Sequence, residues 1–112
     1  MLIPLDNKSL PIQETIRQLV GIFSDNYFDI VDHWTDDPEA IGIAHPDNHG
    51  ILVYISTADL QQGYYVELEA PSYQQEFPYW NKGSYSSSNM NAVAAIVFMH
   101  FNMNYISHSA QK

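Results

Sequence analysis

From Ala40 to Ser56 the chain alternates. Ile41 and Ile43 stand between Ala40, Gly42 and Ala44, and Ile51, Val53 and Ile55 stand between Leu52, Tyr54 and Ser56. Side chains of a strand point to opposite faces in turn, so this period of two predicts a pair of half-buried strands. The segment "YYVELEA" (Tyr64 to Ala70) repeats the pattern, with Tyr64, Val66 and Leu68 on one face and Tyr65, Glu67 and Glu69 on the other. Three such strands joined by short turns form an antiparallel meander. Upstream, "YFDIVDHW" (Tyr27 to Trp34) is rich in aromatic and β-branched residues and predicts a further strand, closed by the turn "TDDPE".

The flanks carry a different period. Ser9 followed by Leu10-Pro11 is a helix start, and Ile12, Ile16, Leu19, Val20 and Phe23 recur at the spacing of one helical face. A first helix should therefore run to about Ser24. Near the C-terminus, Ser87 or Ser88 offers an N-cap for a helix over 89–103, and its nearly unbroken apolar run predicts deep burial against the sheet. Between strand and helix, Pro71 to Ser88 is aromatic, polar and interrupted by Pro78 and Gly83, which predicts a long loop of the kind that often binds.

Together these elements predict an α+β two-layer sandwich: an antiparallel meander of three to four strands packed against N-terminal and C-terminal helices. The chain of 112 residues is expected to form a single domain, 1–112, around one core. The helices should cover the face carrying Ile41, Ile43, Val53, Val66 and Leu68. Leu52, Tyr54, Tyr65, Glu67 and Glu69 are left on the other.

Charge sharpens the picture of that second face. The formal net charge is -9, and every Lys and Arg (Lys8, Arg17, Lys82, Lys112) lies outside residues 18–81. That window holds Asp25, Asp29, Asp32, Asp36, Asp37, Glu39, Asp47, Asp59, Glu67, Glu69 and Glu76. Such a field repels nucleic acid and anionic lipid and speeds encounter with a basic partner, so neither nucleic acid nor membrane is an expected partner. The plainer alternative is that an acidic surface only keeps a protein in solution. No signal peptide or membrane span is legible, and a cytoplasmic location is expected. Without cysteine, a disulfide framework, a thiolate metal site and a cysteine nucleophile are excluded.

Two places invite a catalytic reading. His45, Asp47 and His49 fall within five residues, a donor set chemically suited to zinc or iron. Yet Pro46 stiffens so short a loop, and Pro-Asp-Asn before His-Gly is sound turn chemistry between two strands. His33 beside Asp32 would make an oriented base, but neighbouring strand residues point to opposite faces. No HExxH, GxSxG or glycine-rich phosphate loop occurs. The chain is therefore read as a non-enzyme without a cofactor, a small metal-binding protein or enzyme using the His45/Asp47/His49 loop being the alternative.

A constellation with more weight joins aromatic rings to carboxylates. Tyr54, Tyr65, Glu67 and Glu69 on the uncovered sheet face, Trp34 with Asp36 and Asp37, and Tyr73, Glu76, Tyr79 and Trp80 of the long loop combine rigid anchors with groups that pair with Arg or Lys. The alternative is an ordinary solvated sheet with the loop aromatics folded back on the core. A homodimer through Tyr54 and Tyr65 is a further possibility.

The segment "DIVDHWTDDPEAIGIAHPDNHGILVYIST" followed by "GYYVELE" resembles a group of small bacterial proteins that share an hW…aiGiA.P…LvYISt core and a following Y.vElE strand. The resemblance spans roughly residues 29–69. These small acidic α+β proteins look like the immunity proteins of polymorphic and contact-dependent toxin systems, which bind and neutralise a cognate toxin domain. The resemblance implies a cytoplasmic inhibitor whose partner is a toxin C-terminal domain, covered at its active site, and the acidic window points to a basic nuclease as that toxin. The part after Pro71 departs from the group's pattern. If immunity proteins keep partner-specific residues in variable regions, the resemblance assigns specificity to residues 71–88.

Overall fold

The computed structural model describes residues 5–58, 63–71, 79–87 and 89–104, with the backbone alone at 79–82, 84, 87 and 104. The order is α1 (Leu10–Phe23), β1 (Asp29–Ile30), β2 (Ala40–His45), β3 (Asn48–Ser56), β4 (Tyr64–Pro71), β5 (Tyr79–Ser87) and α2 (Met90–Asn104). All strands pair antiparallel with their sequence neighbours, in the order β1-β2-β3-β4-β5. This is the α+β meander expected from the alternation, with both terminal helices packed against it and one strand more than the three to four foreseen.

Register turns the alternation into two faces. Ile41 pairs with Ile55, Ile43 with Val53, Val53 with Leu68 and Ile55 with Val66. These side chains meet Ile12, Ile16 and Leu19 of α1 and Val93, Ala94, Val97 and Phe101 of α2 in one core. Ser9 caps α1 by accepting from the Ile12 N–H at 3.4 Å. At the far end of the helix layer, Tyr27 stacks between Phe23 and Phe101, at ring centroids of 4.3 and 5.6 Å.

Four expectations change. The stretch from Tyr79 to Ser87 is not part of a loop but an edge strand, because its backbone completes the β4 ladder although its polar sequence shows no alternation. Leu68 faces Gly83 while Glu69 faces Asn81, so the register shifts there, and Gly83 takes φ +131°, a conformation glycine adopts without a Cβ clash. Second, Asn89 caps α2, its side-chain oxygen accepting from the Ala92 N–H at 2.8 Å; of the two serines expected there, Ser87 ends β5 and Ser88 lies outside the described residues. Third, α2 is buried along one side only. Val93, Ala94, Val97, His100 and Phe101 are buried, whereas Phe98, Met99 and Met103 are 53%, 56% and 74% exposed, since a two-layer fold leaves a helix's outer side without a partner.

The fourth concerns the strand expected over 27–34. Only Asp29 and Ile30 pair with β2, followed by a Val31 N–H to Gly42 carbonyl bond of 3.0 Å. The chain then leaves the ladder and crosses above the second face of the sheet. Gly42 makes this possible: a Cβ there would lie 2.3 Å from the Val31 oxygen and 2.7 Å from Trp34 Cζ3. A glycine inside a strand marks such a close approach of another segment.

Candidate functional site: an aromatic and acidic sheet face

The crossover of residues 31–39 is pinned from below by one cation. Lys8, its side chain 1% exposed, donates from Nζ to the carbonyls of Trp34 and Asp37, each at 2.9 Å, and pairs with Asp32 Oδ2 at 2.8 Å. The other oxygen of Asp32 accepts from the Trp34 N–H at 3.0 Å, and Asp37 Oδ1 accepts from the Glu39 N–H at 2.9 Å. Burying an ammonium is tolerated only where such partners surround it. The consequence is positional: Trp34 is held over Gly42 of β2, at the border of the strip of β3 and β4 that stays open.

Across that strip the rings form a row. Trp34 meets Tyr54 of β3 edge-on, centroids 4.6 Å apart at 61°, and Tyr54 meets Tyr65 of β4 at 6.2 Å and 74°. His33 lies against the other side of Trp34, 5.8 Å away. Edge-to-face contacts of this kind suit the ring quadrupole and keep the side chains from rearranging freely. Glu67 is the direct cross-strand partner of Tyr54, Glu69 that of Leu52, and the Tyr65 hydroxyl donates to Glu67. Glu69 stands above a Leu52 that is 4% exposed. Its carboxyl is raised above the usual glutamate range by burial first and by the charge of Glu67 second, with His33 partly offsetting both.

The fold thus brings Trp34, Tyr54, Tyr65, Glu67 and Glu69 together on one face, as the alternation implied. Asp36 and Asp37 lie on the same crossover, but the Asp37 carboxylate is engaged in its own turn. Tyr79 and Trp80 enter β5, paired with Pro71 and Ala70. Tyr73 and Glu76 lie outside the described residues. Lys8, Gly42 and His33 were missed as contributors. Gly42 alone carried a signal, being a glycine in an otherwise regular strand pattern.

The histidine loop resolves differently. Pro46 and Asp47 form the tight turn between His45 and Asn48, which are register partners. His45 accepts from the Asp47 N–H at Nδ1 and leans on Phe101, while His49 pairs with Asp29 at 2.8 Å, so the two rings serve different neighbours. Beside the turn opens a cleft of about 390 Å3, lined by Asn26, Tyr27, His45, Asp47, Phe101 and Asn102. Asp32, bound by Lys8 and Trp34, is not the orienter of His33. Among the described residues no three His, Asp or Glu side chains are grouped to hold a metal ion.

No family model, curated protein or solved structure matches the chain. No helix among the described residues is long and apolar enough to cross a membrane.

Proposed function

We propose that the protein is a cytoplasmic immunity protein that binds and neutralises a cognate antibacterial toxin domain, a basic nuclease, by laying its aromatic and acidic sheet face over the toxin's active site. One observation carries the reading: a row of Trp34, Tyr54 and Tyr65 runs beside Glu67 and Glu69 on a chain without a Lys or Arg between residues 18 and 81. Interfaces concentrate their energy in buried Tyr and Trp, and complementary charge accelerates docking and selects the partner. The carboxylates would take the positions of substrate phosphates against the toxin's basic groups, and no chemistry of the inhibitor's own is needed. The test is toxin activity with the toxin domain encoded beside this gene. Equimolar protein should abolish it and co-purify with it, and unchanged activity would refute the proposal.

A second reading, self-association, is favoured by the outer side of α2, where Phe98, Met99 and Met103 are more than half exposed and the helix holds no charged residue. Sedimentation at rising concentration tests it. A monomer throughout would count against it.

A further inference from the structure

We propose that two copies of this chain associate through the outer side of α2, the helices running antiparallel about a two-fold axis so that Met99 and Met103 of each copy cover Ala95 and Ala92 of the other. This rests on the reading of that side as a self-association surface and adds the geometry of the pair.

The order of side chains along the helix carries the inference. Ala92, Ala95, Met99 and Met103 follow one another at intervals of three, four and four residues, which keeps them on one line of an α-helix. Val93, Val97 and Phe101 take the opposite side and are buried. The outer line is graded, small in its N-terminal half and large in its C-terminal half, where Met99 and Met103 are more than half exposed. Phe98, equally exposed, adds apolar surface at its flank.

A graded line of this kind complements itself when reversed. With the axis at the level of Val97, residue 95 faces 99 and residue 92 faces 103, so large stands against small throughout. A parallel copy would set Ala on Ala, leaving gaps, and Met on Met, holding the helices apart. Opposed helix dipoles favour the antiparallel direction as well.

Charge favours a second copy at this side over a charged partner. Two chains of net charge -9 repel one another, least where no acidic group is brought close. From Met90 to Asn104 there is no Asp, Glu, Lys or Arg, and His100 is turned inward at 3% exposure, 2.6 Å from the Glu69 carbonyl. This side offers no carboxylate to a basic partner and no cation to an acidic one or to anionic lipid.

Size sets the strength. A helix face of about 22 Å by 10 Å falls short of the roughly 800 Å2 that each partner buries in a stable dimer. The dimer is accordingly weak and reversible, with a dissociation constant of order 0.1–1 mM.

The chain contains no cysteine, so cysteines introduced singly report the arrangement. Whole-chain Ala95→Cys and Met99→Cys proteins, distinguishable by mass, are mixed at about 0.5 mM, within the expected range of the dissociation constant, and oxidised briefly. The mixed disulfide dimer should exceed each of the two homodimers at least about five-fold, because only opposed positions come within bonding reach. In sedimentation equilibrium, association of the parent should tighten at least about three-fold between roughly 0.02 and 0.3 M NaCl as repulsion is screened. Met99→Glu and Met103→Glu should each weaken it at least about ten-fold, while their melting temperatures at about 5 µM stay close to that of the parent. An excess of the two homodimers, or a monomer that floats with phosphatidylcholine vesicles, would overturn the arrangement, the latter by giving this side to a lipid surface. The two readings fail separately. Self-association that survives both glutamate variants without the mixed crosslink keeps the former and removes this geometry, and a monomer at about 1 mM in either salt removes both.

Discussion

Replacing Lys8 by methionine removes a buried charge that ties the crossover to the body of the protein. Methionine keeps most of the side-chain length, so the loss is electrostatic rather than a cavity. Three contacts disappear at once: two carbonyl acceptors at 2.9 Å and the Asp32 carboxylate at 2.8 Å. Breaking a buried ion pair costs about 3–5 kcal/mol because the remaining charge is stranded. Asp32 is 16% exposed and regains some water, which lowers the expectation to about 2–4 kcal/mol. With a urea m-value of about 1.5 kcal/mol/M, a loss near 3 kcal/mol moves the unfolding midpoint down by about 2 M. Local and global effects are separable, since in a Trp80→Phe background the only indole left is Trp34. Its emission should shift to longer wavelength in Lys8→Met under native conditions, as the crossover lifts from Gly42. Asp32→Asn keeps an oxygen for the Trp34 N–H but removes the carboxylate charge, and should cost less than Lys8→Met. A midpoint within about 0.5 M of the parent, with unchanged Trp34 emission, would refute the claim that this network holds the crossover.

Gly42→Ala should destabilise by about 2 kcal/mol or more, because its Cβ meets the Val31 carbonyl at 2.3 Å; altered amide shifts at Val31 and Trp34 would locate the damage, and a neutral result would show that the crossover does not rest on β2. The raised carboxyl of Glu69 fixes a sign: its favourable contribution is present below the unfolded glutamate pKa and is lost as pH rises through the higher folded one. Glu69→Gln should therefore be more stable than the parent toward urea at pH 7 and lose that advantage at pH 3.5, and an advantage independent of pH would contradict the assignment. On α2, Val97→Ala should cost about 1–3 kcal/mol and Phe98→Ala less than about 1, since only the first side chain is in the core; comparable losses in thermal melts would mean that the exposed side is covered in solution.

The pattern of residues was sufficient for α1 and for β2 to β4. Alternation with a period of two leaves a strand no freedom over which side is buried, so Ile41, Val53 and Val66 pointing to the helices also meant Tyr54, Tyr65 and Glu67 pointing away. Those three candidate residues, with Glu69, were legible for that reason. β5 was not, because a polar edge strand owes its existence to the ladder it completes rather than to burial of one face. Nor was the buried side of α2, whose run from Ala92 to Phe98 is apolar all round, so that packing against the sheet rather than periodicity selects Val93, Val97 and Phe101.

What the sequence determined by itself is the meander, its two faces and the acidic, aromatic character of the second. Tertiary structure alone decided that part of this face is roofed by the crossover, with Trp34 brought to Tyr54, and that Lys8, remote in sequence from residues 32–37, is spent inside on holding it there. The reason is physical: strand periodicity is a local consequence of backbone geometry, whereas a buried ammonium finds its carbonyls and carboxylate only once distant segments have met.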